Sequence, residues 1–159
     1  MGRVFFDVRK NVHSLTGAYT VLPSDSGKVF TLNAAAGAGI TLPSVADAQE
    51  GFNCRFIVGT AFATTDWIIT ATAAIMVGGI NELEVDTSDD GPVTVAGTTI
   101  NIELGAETIG DYVDFVCDGT KMYFRAQTKL VRSTIVVIPA VCLLLGKSAI
   151  AIALAIILL

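Results

Sequence analysis

The stretch from Leu22 to Thr60, LPSDSGKVFTLNAAAGAGITLPSVADAQEGFNCRFIVGT, most narrows what this chain can fold into. Apolar runs of strand length alternate with polar residues. Pro23, Gly27, Gly39, Pro43 and Gly51 break each run before a helix could become self-supporting. The same rhythm carries on to Ala126. Strands are expected over Ala18–Leu22, Lys28–Leu32, Ile40–Leu42, Asn53–Val58, Asp66–Ala71, Ala74–Val77 (stopping at Gly78-Gly79) and Leu83–Val85. Pro92–Ala96 and Thr98–Leu104 read as a hairpin about Gly97. Asp111–Cys117 and Lys121–Ala126 read as a second hairpin, with Asp118-Gly119 as a type I′ turn. Ser24–Gly27 reads as a turn. Val45–Glu50 reads as a single helical turn, with Ser44 as N-cap and Gly51 past its end.

Roughly ten short strands with almost no helix define an all-β protein, and their count and spacing suggest an antiparallel β-sandwich of jelly-roll type, with a single barrel as the alternative. An α/β enzyme does not fit, because the helical period is missing through the middle of the chain. A length of 159 residues suits one domain that buries about two thirds of its unfolded surface. The organisation read from composition is an N-terminal arm over 1–17, a β-sandwich domain over 18–128 and a hydrophobic C-terminal tail over 129–159. Val4–Val8 is assigned to the arm, because adjacent Phe5 and Phe6 would face opposite sides of a strand. Met1–Lys10 does not read as a signal peptide, since Asp7 interrupts its apolar residues.

Charge is unevenly distributed. Between Arg55 and Lys121 there is no Lys or Arg, while eleven Asp and Glu residues fall in that interval. Phosphate contacts need cationic side chains, so this middle would repel nucleic acid. Its plain reading is a solvated acidic face. The three cysteines, Cys54, Cys117 and Cys142, are odd in number and widely spaced, and so make no disulfide framework. Cys54 and Cys117 sit in apolar runs and read as buried small hydrophobes, which suits assembly in a reducing cytoplasm.

After Arg132 the composition changes. Ser133–Leu159 carries fifteen Ile, Leu and Val residues and a single charge, Lys147. Apolar residues at about −0.3 to −0.6 kcal/mol each outweigh a central Lys at about +3, which favours membrane insertion. Pro139, Gly146 and Lys147 argue against it, because they leave two pieces each too short to span. Ala149–Ile156 alternates with a period of two, as in a strand buried on both faces. An apolar arm buried in an assembly, a membrane segment and a sequence anomaly all remain open for the tail.

Catalytic and metal motifs are weak. His13 is the only histidine, which leaves neither a Cys/His zinc set nor a convincing triad. Gly146-Lys147-Ser148 ends like a phosphate loop, but Val141 stands where its first Gly is needed. Asp86–Gly91 starts like a calcium loop, but Gly97 stands where a bidentate Glu is needed. The paired Glu82 and Glu84 have no aromatic sugar platform nearby. Trp67 reads as core. Phe30, Phe52, Phe56, Tyr112, Phe115, Tyr123 and Phe124 fit strand-core or interface positions better than a ligand pocket.

Two segments carry a resemblance. One is Ser26–Asn33 (SGKVFTLN) with Gly39–Pro43 (GITLP) and Gly51–Val58. The other is the hairpin Tyr112–Phe124 around Asp118-Gly119. Both are similar to strands of small jelly-roll decoration (cement) proteins on tailed-phage capsids, and also to phage tail- and head-fibre β-domains. The resemblance implies a structural virion protein on the capsid exterior, assembled in the host cytoplasm, with no catalysis and no cofactor. It implies bridging of major capsid protein subunits, as a homotrimer or else a dimer, with no nucleic-acid partner. A terminal arm around Phe5, Phe6, Arg9 and Lys10 would bury apolar surface on the shell. A receptor- or glycan-binding fibre tip and a membrane-anchored β-domain are the alternatives.

Overall fold

The computed structural model describes residues 11–73, 75–82, 93–105, 107–128 and 136–138. Over these residues the protein is all-β, with two sheets facing each other across one hydrophobic core. The larger sheet runs β1 (Val12–Leu15), β3 (Val29–Leu32), β5 (Glu50–Val58), β10 (Tyr112–Asp118), β11 (Met122–Thr128), β7 (Met76–Glu82) and β8 (Val93–Gly97). The smaller runs β12 (Val136–Ile138), β9 (Thr99–Ile102), β6 (Trp67–Thr70), β4 (Ala38–Thr41) and β2 (Tyr19–Thr20). A 3₁₀ turn at Pro23–Asp25 and one helical turn, α1 (Val45–Ala48), are the helical pieces among the described residues. Ser44 caps α1 as its sequence position suggests, its Oγ accepting from the Asp47 N–H at 3.2 Å.

The sheets are mixed, which corrects the antiparallel arrangement expected from the sequence. Five of the ten described pairings are parallel. Through its first half the chain alternates between the sheets and winds as a coil. β1, β3 and β5 lie parallel in the larger sheet, and β2, β4 and β6 lie parallel in the smaller. Parallel neighbours need a crossover connection, and here a strand of the opposite sheet supplies it. The second half closes the larger sheet: β10 pairs antiparallel with both β5 and β11, and β7 then pairs parallel with β11.

Other expectations also shift. The residues either side of Gly97 do not form a hairpin. β8 pairs with β7 and β9 pairs with β6, so the chain changes sheets at Thr98. The strand expected to stop at Gly78-Gly79 runs through both glycines to Glu82. At Gly78 an added Cβ would collide with the Phe124 carbonyl oxygen, so glycine lets β7 approach β11 closely. The β10–β11 hairpin forms as expected, but only Gly119 has positive φ, at 85°. Asp118 stays extended because its carboxylate accepts from the Thr120 and Lys121 N–H groups, at 2.8 and 2.6 Å. With Gly at the first central position and Thr120 at the second, the φ signs fit a type II′ turn in place of the expected I′.

Val12–Leu15, assigned to the arm by the sequence, is an edge strand of the larger sheet anchored by buried Leu15. Phe5, Phe6, Arg9 and Lys10 lie outside the described residues, as do Leu83–Val85 and the tail apart from β12.

Alternation explains the core. On the inner face of the larger sheet, Phe30 stacks on Phe56 at 5.1 Å, and Phe56 meets Phe115 edge-on at 5.9 Å. Facing them across the core, Ile40, Trp67, Ile69, Ile100 and Ile102 come from the smaller sheet. Burying each such side chain stabilises the fold by about 1.5–3 kcal/mol. Trp67 is fully buried, and its indole N–H donates to the Ala34 carbonyl at 3.2 Å. A buried carboxylate ties the first coil together: Asp25 accepts from the Tyr19 hydroxyl at 3.0 Å, the Leu22 N–H at 2.8 Å and the Lys28 ammonium at 2.6 Å.

Candidate binding face on the larger sheet

With the aromatic residues of β5, β10 and β11 turned inward, the alternate residues line up across the outer face in rows. Arg55, Asp114 and Arg125 stand opposite one another on three neighbouring strands. Ile57, Tyr112, Gln127 and Asn81 form the row on one side. Asn53, Val116, Tyr123 and Val77 form the row on the other. Cross-strand neighbours on one face sit close enough for side chains to interact directly.

The central row is polar and ordered. The Arg55 guanidinium grips Asp114 in a two-pronged pair, Nε to Oδ1 and Nη2 to Oδ2, the latter at 2.6 Å. Arg55 also lies over the Tyr112 ring, 4.6 Å from its centroid, and the Tyr112 hydroxyl donates to Gln127 Oε1 at 2.7 Å. Both carboxylate oxygens of Asp114 are therefore engaged on its β5 side. Arg125, on its β11 side, is exposed and has no ion pair among the described residues. Its neighbour on β7 is Gly79, so no side chain flanks it there. A groove of about 330 Å³ opens beside the row, between Gly27, Lys28, Asn53, Arg55, Asp114 and Val116. Its size lies in the range of small-ligand sites.

The face carries residue types common at contact surfaces. Val116 and Tyr123 are exposed beside Arg125, and Tyr and Arg are the residue types enriched at protein interfaces. Cys54 lines the groove's floor but is buried, and desolvation pushes its thiol well above the ordinary range, with the Asp25 and Asp114 charges adding to the shift. A thiol held protonated is a poor nucleophile. His13 sits on edge strand β1, 5.5 Å from Tyr19 and 5.9 Å from Phe30, in an aromatic contact. Among the described residues, no three His, Cys, Asp or Glu side chains converge as metal ligands would.

Sequence reading did not single out Arg55, Asp114 or Arg125. The β10–β11 hairpin alone sets Asp114 opposite Arg125, so half of this row follows from local pattern. Arg55 joins it only through the long-range β5–β10 pairing. No family model, curated protein or solved structure matches the chain. No described helix is long and apolar enough to cross a membrane.

Proposed function

We propose that this chain is a non-enzymatic structural virion protein that decorates and stabilises a phage capsid by bridging major capsid protein subunits. One observation carries the reading. The segments that resemble phage decoration proteins cover β3, Gly51–Val58 of β5, β10 and Met122–Phe124 of β11, and these four strands are consecutive neighbours in one sheet with one continuous outer face. A two-sheet sandwich is enough for this role, and jelly-roll connectivity is not required. Attachment would combine that face with the arm residues Phe5, Phe6, Arg9 and Lys10, and several weak contacts made together give high occupancy without one large patch. No cofactor and no nucleic acid enter the mechanism.

The test is the stability of the shell. Capsids loaded with the protein should release their genome at a higher temperature than bare capsids, and equal release temperatures would refute the role. Changing Phe5 and Phe6 to Ser should lower occupancy; unchanged occupancy would remove the arm from the mechanism. A second reading, a glycan-binding fibre tip, is favoured by the groove between Asn53, Arg55, Asp114 and Val116. Binding to host surface glycans that is lost in Asn53→Ala would favour it. Carbonate-resistant membrane association would favour a β-domain anchored through the tail.

A further inference from the structure

Charges of opposite sign without ion-pair partners among the described residues lie on the two sheets of the sandwich. On the outer side of the larger sheet is Arg125, with exposed Val116 and Tyr123 on the neighbouring row. At one end of the smaller sheet are Asp66 and Glu103. Ile100 and Ile102 point into the core, so Asn101 between them turns outward, and Glu103, just past the end of β9, is half-buried and close enough to feel the Asp66 charge. Asn101 Nδ2 donates to Asp66 at 2.9 Å, and the Leu104 N–H donates to its other oxygen at 2.8 Å. No described cation pairs with either carboxylate. Partial burial first, and then the Asp66 charge, hold the Glu103 carboxyl above the usual range, the mark of an acid without a counter-ion. Exposed Leu104 and Ile109 lie in the connection that follows β9.

The four described cations, Lys28, Arg55, Lys121 and Arg125, all belong to the larger sheet or to the turns leading into its strands, and none to the smaller. Within one chain the core separates Arg125 from Asp66 and Glu103. Each of the two surfaces combines exposed apolar side chains with a charge that has no ion-pair partner among the described residues, and the signs of those charges are opposite.

We propose that copies of this chain associate head to tail, the Arg125 face of the larger sheet on one copy covering the Asp66–Glu103 end of the smaller sheet on the next. Such a contact joins two different surfaces and closes into a ring when the rotation between copies allows it, with a trimer as one solution. The inference takes up the self-association that the decoration reading calls for. Its experiment contains no capsids, so it can fail while capsid binding stands.

The test is sedimentation equilibrium of the full chain at low and high salt, with circular dichroism to check folding. The wild type should associate at low salt and weaken as salt rises. Arg125→Glu and Glu103→Arg should each weaken association about tenfold or more, as a like-charge contact at an interface does. The double variant Arg125→Glu/Glu103→Arg should recover it, because the ion pair is rebuilt with its signs exchanged. If Glu103→Arg does not fold, Glu103→Gln takes its place and should weaken association without repulsion. A wild type that stays monomeric, single variants that associate as the wild type does, or a folded double variant that gains nothing would each overturn the proposal.

Discussion

Replacing Asp25 with Asn should destabilise the fold in a way that depends on pH. The side chain is buried and accepts from Tyr19, Leu22 and Lys28. Burial alone would raise its pKa. The hydrogen bonds from Lys28, the Leu22 N–H and Tyr19 outweigh it, and the Asp25 carboxyl lies below its ordinary value. Asn keeps one acceptor oxygen, loses the charge and turns an NH₂ toward one of the donors. Lys28 is partly exposed and can return to water, which limits the loss at that end. One weakened charge-assisted bond and one poorly satisfied donor together amount to about 2 kcal/mol. For a chain of this size that lowers Tm by about 4–8 °C.

The sign follows from linkage. A carboxyl whose folded pKa is depressed contributes stability that is present above the unfolded value, about 3.9, and is lost as pH falls through the folded value. Urea denaturation of both proteins across a pH series should show the full gap near pH 7, narrowing in acid until it closes below the folded pKa, where Asp25 is itself neutral. The other carboxylates titrate in both proteins and cancel. A gap under about 0.5 kcal/mol at neutral pH, or one unchanged in strong acid, would refute the reasoning.

Three further outcomes follow from the packing. Gly78→Ala pushes a Cβ into the Phe124 carbonyl at the β7–β11 junction and should cost about 1–3 kcal/mol by denaturant titration. Trp67→Ala empties the centre of the core and loses the bond to Ala34; a loss of about 3–5 kcal/mol is expected, seen as a lowered urea midpoint. The Arg55–Asp114 pair is about one third exposed on both sides, so a double-mutant cycle to Ala should give a coupling of only about 0.5–1 kcal/mol despite its two-pronged geometry.

Element positions were legible in the sequence where alternation and punctuation agree. Apart from their first residues Lys28, Asp111 and Lys121, the runs KVFTL, NCRFIV, DYVDFVC and KMYFRA lie in strands, Ser44 caps its helical turn, and Asp118-Gly119 marks a hairpin. Strand partners were less legible. A strand buried on one face alternates in the same way whether its neighbour runs parallel or antiparallel, so nothing in VFTL reveals that it lies parallel to both Val12–Leu15 and Glu50–Val58. Gly97 resembled a hairpin turn because a chain changing sheets and a chain reversing within one sheet both need a small residue between two apolar runs. The turn at Asp118 went to a different type because its carboxylate captures the Thr120 and Lys121 amides, a local bond that competes with positive φ. The outer-face row was half visible. The hairpin sets Asp114 opposite Arg125, while Arg55 arrives from a strand 59 residues away from its partner.

The central claim is that this sandwich occupies a repeating site on a capsid. The most direct measurement is co-sedimentation of the purified protein with mature capsids that lack it, with copy number read by mass spectrometry. The account predicts saturation at a high copy number set by the capsid lattice. No co-sedimentation, or saturation at a handful of copies per particle, would contradict it.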